Sequence, residues 1–205
     1  MKKFRFYINF NKEEKWLNEM GKLGWELSDK NINYEFSKTS PQNTVIKIDY
    51  RNFKSDNYFQ DYILMFKDFG WGHIAGKKNS GKQYFKKIDD KAGADIFSDV
   101  NSKAERYKKL SNMWLTLAMC YVPIFISLIT TKVINVAAFL NPKLFYYTSG
   151  LWEKTGEHFW KAFLFETPFV IMRGFFWLFF PLIIILYSLF ALKAQKYYKK
   201  TNIRN

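Results

Sequence analysis

Residues 4–25 read FRFYINFNKEEKWLNEMGKLGW. Phe4, Phe6, Ile8 and Phe10 alternate with Arg5, Tyr7 and Asn9, the period of a half-buried strand. The period then lengthens. Asn11 caps a helix with Glu14 three residues on, Trp16, Leu17, Met20 and Leu23 recur on one face, and Gly24 closes it. Short strands around Trp25–Leu27 and Tyr34–Phe36 complete a β-α-β-β unit.

The same plan returns downstream. Ile46, Ile48 and Tyr50 alternate with Lys47, Asp49 and Arg51 as a strand. Ser55 or Asp56 caps a helix carrying Phe59, Tyr62, Ile63 and Phe66 on one face. Gly70 closes it, and strands near Trp71–Ala75 and Gln83–Lys87 follow. Leu23-Gly24-Trp25 answers Phe69-Gly70-Trp71, and Tyr34 answers Tyr84, so an internal repeat organises this half. The predicted fold class is α+β: a duplicated β-α-β-β, ferredoxin-like domain over residues 1–90, with repeats at about 3–38 and 44–88 joined into one sheet and both helices on one face. The repeat leaves the strand order open.

Residues 91–110 read as a linker, with Gly93 inside it, and a juxtamembrane helix that Ser98 caps. This helix is expected to run on through Lys109 into the apolar stretch MWLTLAMCYVPIFISLITT at 113–131. A second stretch, 169–192, is interrupted only by Arg173. Each is about the twenty residues that cross a hydrocarbon core as a helix. The membrane module, 111–192, therefore reads as a two-helix transmembrane hairpin with spans at about 112–131 and 169–192, kinked at Pro123 and Pro181.

Lys103, Arg106, Lys108 and Lys109 precede the first span, and Lys193, Lys196, Lys199 and Lys200 follow the second. Both ends are thus predicted to be cytoplasmic. The segment 132–168 should face outward, and its many aromatic residues predict interfacial helices on the outer leaflet. Trp152, Trp160, Arg173 and the lysines of the basic tail, 193–205, are the candidate membrane-interface residues. No secretory h-region follows Lys2, Lys3 and Arg5, and the expected location is a bacterial cytoplasmic membrane.

Net charge is +14, from 32 Lys and Arg against 18 Asp and Glu, which raises the question of nucleic acid. The distribution argues against it. Residues 1–110 carry 22 basic and 15 acidic side chains dispersed along the segment, and the last thirteen carry five basic and no acidic ones, directly after an apolar run. That placement suits anionic lipid, and no nucleic acid partner is expected.

The chain holds no evident catalytic constellation. His73 and His158 are the only histidines, Cys120 the only cysteine, and no Gly-x-Ser-x-Gly elbow is present. Gly76-Lys77-Lys78-Asn79-Ser80-Gly81-Lys82 resembles a phosphate loop, but Gln83 stands where Ser or Thr is needed and the run precedes a strand. A hairpin loop is the expected reading. Arg5, Asp49, Arg51, Trp25 and Trp71 make up the candidate interaction or ligand surface of the domain. A surface ion pair from Asp49 to Arg5 or Arg51 and core packing of the tryptophans weigh more heavily than ligand recognition. No metal and no cofactor are expected.

The residues Glu14-Lys15-Trp16-Leu17-Asn18-Glu19-Met20, the Gly24-Trp25 and Gly70-Trp71 pairs, Tyr34-Glu35-Phe36 and Ile48-Asp49-Tyr50-Arg51 resemble the bacterial family catalogued as domain of unknown function 2812, over about residues 1–90. The resemblance implies membrane-anchored members, often encoded beside PadR-like transcriptional regulators, and a role in envelope or stress responses. It carries over no catalytic residue. The expectation is a non-enzymatic membrane protein that senses or relays envelope state through a cytoplasmic protein- or ligand-binding domain, with membrane lipid and a protein partner or second copy as its associates. The alternatives are an accessory subunit of a transporter or of a system resisting membrane-active peptides and, more remotely, a lipid-modifying enzyme, which activity dependent on Glu157 or His158 would mark.

Overall fold

The computed structural model describes residues 1–203; Arg204 and Asn205 of the basic tail lie outside the described residues. The chain is mixed α+β with two antiparallel three-stranded sheets and two long apolar helices. In order it forms β1 (Lys2–Lys3), α1 (Phe10–Lys22), β2 (Trp25–Lys30), β3 (Tyr34–Lys38), β4 (Ile46–Tyr50), α2 (Asp56–Asp68), β5 (Trp71–Ala75) and β6 (Lys82–Lys87). Then follow α3 (Val100–Thr130), α4 (Ala137–Leu140), two 3-10 turns and α5 (Gly156–Asn202).

The strand order is β1-β3-β2 in one sheet and β4-β6-β5 in the other. Hydrogen bonding therefore builds two sheets where one joined sheet was expected. The two halves nonetheless match in detail. Both helices have 13 residues, starting at Phe10 and Asp56, and both end before a glycine in the left-handed region, Gly24 at φ 77° and Gly70 at φ 80°. In each sheet the second strand carries an irregular register, between Leu27 and Asp29 in one and between His73 and Ala75 in the other. All these positions correspond at one spacing of 46 residues.

Three local expectations are corrected. The strand predicted over residues 4–10 is confined to Lys2–Lys3, and Phe4 and Phe6 are exposed while Ile8 and Phe10 are buried. The alternation reflects a chain that turns inward at Ile8 rather than a paired strand. The cap of α1 is Asn9, whose side chain accepts from Lys12 N at 3.1 Å, so Glu14 is released from the capping box. Ser55 caps α2, and Asp99 rather than Ser98 takes Ser102 N at 2.8 Å at the start of α3.

α1 buries Phe10, Glu13, Glu14, Trp16, Leu17, Met20 and Gly21, whereas α2 buries only Tyr62 and Phe66. α1 is thus covered on more than one side, by β2 and by β4. Gly21 permits this approach, since a Cβ there would lie 2.0 Å from Thr44 Oγ1. α2 packs Tyr62 and Phe66 with Trp71 and Phe85 into a separate aromatic core.

Two compact units divide the chain. The first joins residues 1–113 to those from Phe190 on, and the second is Trp114–Leu189. In the second unit Trp177, 2% exposed, packs with Ile134 and Ala138 among Phe125, Leu128, Ile129, Phe145 and Phe180. Residues 132–155, expected to face outward, form only the four-residue α4 and the two 3-10 turns. Residues 156–168 are continuous with the predicted second span in α5, which runs through Pro168 and Pro181. α3 and α5 are each long and apolar enough to cross a membrane.

Candidate functional site

The unusual chemistry of the first unit lies in two adjacent carboxylates on α1. Phe10, Glu13, Glu14, Leu17, Met20 and Gly21 fall at helical spacing on the buried face, so α1 carries Glu13 and Glu14 inward. A buried carboxylate is tolerated only where it is paired and hydrogen-bonded. Glu13, fully buried, accepts from the hydroxyls of Tyr34 on β3 at 2.6 Å and Tyr84 on β6 at 2.7 Å, both on Oε1. Lys82 Nζ lies 2.5 Å from Oε2 and also donates to Tyr7 O at 2.9 Å. Burial, and then the Glu13 charge, push both phenols well above the usual tyrosine range. Tyr34 and Tyr84, one from each sheet, therefore converge on one oxygen and tie both sheets to α1, although the strand registers match Tyr84 with Glu35 rather than with Tyr34.

Glu14 is held from the other side by α3. Arg106, fully buried, donates from Nη1 to Glu14 Oε1 and to Ile48 O, each at 2.5 Å, and from Nη2 to Asn11 Oδ1 at 2.7 Å. Ile48 N adds a 3.2 Å bond to Glu14. The guanidinium also faces the rings of Phe10, Phe97 and Tyr107 at 4.9, 5.1 and 5.4 Å, contacts that stabilise a desolvated cation.

Around this pair Asp95 bridges Lys47 at 3.5 Å and Lys103 at 2.5 Å. Burial acts to raise the Asp95 carboxyl, but the Lys103 hydrogen bond and the charges of Lys47 and Lys103 outweigh it and hold it below the ordinary carboxylate range. α5 joins the same unit. Ser111 Oγ donates to Ala191 O at 2.9 Å, and Tyr107 meets Tyr197 at 5.6 Å between ring centroids. The arrangement is a clamp of paired charges and rings, and it presents no free acid and base set at one reacting position.

The family of proteins of unknown function DUF2812 matches residues 9–119. The chain belongs to this family. The match extends beyond residues 1–90 and takes in Arg106, so the paired charges of the clamp lie within the DUF2812 region, while the α5 contacts of Ala191 and Tyr197 lie outside it. No curated protein and no solved structure matches the chain.

The DUF2812 chain distributes its sequence-predicted surface residues over separate places. Asp49 is buried rather than on a polar face. Its Oδ2 accepts from Tyr62 at 2.6 Å and its Oδ1 from its neighbour's Tyr50 N at 2.7 Å, so no ion pair joins it to Arg5 or Arg51. The β4 backbone turns Asp49 towards α2, where the Tyr62 hydroxyl needs an acceptor. Arg51 stands over the rings of Tyr62 and Phe53 at 5.3 and 5.7 Å. Arg5 is exposed, 4.8 Å from the Trp16 ring. Trp71 is buried in the α2 core and belongs to no surface; Trp25 is half-buried on β2.

His73 faces Gln83, with Nε2 3.0 Å from Oε1. The lysine-rich run lies between β5 and β6, where Ser80 Oγ accepts from Lys77 N. Among the described residues no group of three His, Cys, Asp or Glu side chains is placed to hold a metal ion.

In the second unit Arg173 donates to Phe145 O and lies 3.7 Å over the Tyr147 ring. Trp152 and Trp160 are exposed, and Lys143 approaches the Trp152 ring at 5.2 Å. Lys193, Lys196, Lys199 and Lys200 are exposed along the end of α5. Sequence reasoning missed Glu13, Glu14 and Arg106 as a set. From sequence Glu14 reads as a capping partner and Arg106 as a flanking charge, although the buried-face spacing of residues 10, 13, 14, 17 and 21 is a signal for the set.

Proposed function

We propose that this is a non-enzymatic protein of a bacterial cytoplasmic membrane that relays the state of the envelope through its α+β domain. The domain is a duplicated, ferredoxin-like β-α-β-β pair, α3 and α5 form a transmembrane hairpin, and both termini are cytoplasmic. The observation that carries the reading is the Arg106–Glu14 pair. It locks α1 and β4 to the helix that continues into the first apolar run, while the far end of α5 packs on the same unit through Tyr197 and Ala191. Displacement of the start of α3 is then opposed by buried, paired charges, and that of the end of α5 by a hydrogen bond and a ring contact. Such an element has few alternative arrangements and favours discrete over graded change. The corresponding helices, glycines and strand irregularities at one spacing of 46 residues support the duplication.

Only 6% and 11% of the most apolar stretches of α3 and α5 is buried within the chain. That exposed apolar surface supports lipid, a second copy or a partner's helices as its surroundings, and it keeps the accessory-subunit reading as the second choice.

The test is hydrogen exchange on the full chain reconstituted in bilayers of two thicknesses. The relay reading expects α1 and β4 amides to change protection with thickness, and Arg106→Ala to abolish the response. Unchanged protection in the unaltered protein overturns it. Affinity purification from native membranes addresses the second reading, for which a stoichiometric transporter is the expected result.

A further inference from the structure

A cleft of about 310 Å³ opens where α1, α3 and α5 meet in the first unit, lined by Asn9, Asn11, Val100, Lys103, Tyr107, Tyr197, Lys200 and Thr201. We infer that this cleft binds the phosphate group of a small phosphorylated molecule. The volume is at the lower end of small-molecule sites, and the inference stands whether or not the relay reading holds.

The bonding already made inside the cleft decides the class of ligand. Asn9 Oδ1 accepts from Lys12 N and from the Tyr107 hydroxyl, and Asn11 Oδ1 accepts from Arg106. Both amide oxygens are used, which fixes the amide orientations and leaves the two Nδ2 groups as donors. The Thr201 hydroxyl donates to Tyr197 O. Lys103 and Lys200 supply the formal charge of the lining, and no carboxylate is part of it. Asp95 pairs with Lys103 from outside and offsets part of that charge, and Asp99 caps α3 nearby. Lys200 carries no described partner. What remains unspent at the walls is the two amide donors and the Lys200 cation, the complement of a phosphate. The rings of Tyr107 and Tyr197, 5.6 Å apart, supply an apolar wall for the rest of the molecule.

The phosphate could belong to a free solute or to a lipid headgroup. Ten residues of α3, about 15 Å of helix axis, separate Lys103 from Met113, where the apolar run begins. That distance favours the free solute.

The test titrates inorganic phosphate into the full chain in nanodiscs of neutral lipid, followed by ³¹P line broadening with sulfate as competitor. Saturable binding is expected, weakened about tenfold by Lys200→Ala and left unchanged by Lys196→Ala, which removes another exposed charge of α5 outside the cleft. Lys200 is exposed on the last turns of α5, so its truncation leaves the fold intact; circular dichroism verifies this. Nanodiscs containing phosphatidic acid separate the sources. Equal phosphate affinity in both lipids assigns the site to a free solute. Weaker affinity in the anionic lipid, restored by Lys200→Ala to the neutral-lipid level of that variant, assigns it to a headgroup. Absence of saturable binding in neutral lipid, or equal weakening by both substitutions, overturns the inference.

Discussion

Replacing Arg106 by Ala removes the cation that compensates Glu14 in a place where water cannot substitute. Arg106 is fully buried and Glu14 is 6% exposed. The substitution deletes three hydrogen bonds, to Glu14, Ile48 O and Asn11, at 2.5, 2.5 and 2.7 Å. Lys47, 3.7 Å from Oε2, remains as a partial partner for Glu14. Truncating one member of a buried ion pair costs about 3–5 kcal/mol, and Lys47 places the expected loss at the lower end, about 3 kcal/mol. The assay is urea unfolding of the full chain in non-ionic detergent, followed by tryptophan fluorescence with Trp16 and Trp71 as buried reporters. With a slope of about 1–3 kcal/mol per molar urea, the midpoint should fall by about 1–3 M. The paired change Glu14→Leu with Arg106→Met should recover much of this, because it removes both charges and refills the volume. A midpoint within about 0.3 M of the unaltered protein, or strict additivity of the two single substitutions, would refute the buried-pair argument.

The same assay checks the other carboxylate. Tyr34→Phe and Tyr84→Phe should each cost about 1.5–3 kcal/mol, the worth of a hydrogen bond to a charged group, and they should couple non-additively because both hydroxyls bond Glu13 Oε1; additive losses would separate them. Gly21→Ala should destabilise by about 1–3 kcal/mol, since its Cβ meets Thr44 Oγ1 at 2.0 Å, and Thr44→Ala should relieve part of the loss; a neutral Gly21→Ala counts against the close approach of α1 to the loop before β4. Burial depresses the His73 imidazole below its ordinary 6.5, with the Gln83 hydrogen bond pulling the other way. A base depressed in the folded state contributes stability that is present above 6.5 and lost as pH falls through the folded value. Thermal melts from pH 7.5 downward should therefore show a steeper acid loss in the unaltered protein than in His73→Gln, and parallel slopes would remove His73 from the explanation.

The helices of the first unit were legible because their signals are local. Gly24 and Gly70 sit after their helices because each takes a positive φ, and Trp71 is buried where the periodic pattern required an apolar residue. Long-range polar pairing leaves no such local trace. Glu14 and Arg106 are 92 residues apart, and each had a sufficient local explanation, a capping box for one and a flanking charge for the other. Asp49 misled for the same reason, since strand alternation assigns it to the polar face while Tyr62 thirteen residues later supplies its buried partner. The terminal strand failed differently. Phe4 and Phe6 alternate correctly, but Lys2 and Lys3 alone pair with β3, and periodicity carries no information about which residues find a neighbouring strand.

A buried arginine is a costly way to join two helices, and apolar side chains would supply comparable stability. The difference is in what is specified. An apolar face on α3 would accept neighbouring positions of α1 with little change in energy, because dispersion contacts are individually small and non-directional. The Arg106 fork must satisfy a carboxylate, a strand carbonyl and a side-chain amide together, and a rotation or shift by one residue leaves the carboxylate of Glu14 buried without its cation. The pair thus fixes both the rotation and the axial position of the start of α3 against α1. The double apolar variant should then regain stability while its α1 amides lack the dependence on bilayer thickness expected of the unaltered protein. Retention of that dependence in the double variant would assign the coupling to the aromatic contacts of Phe10 and Tyr107 instead.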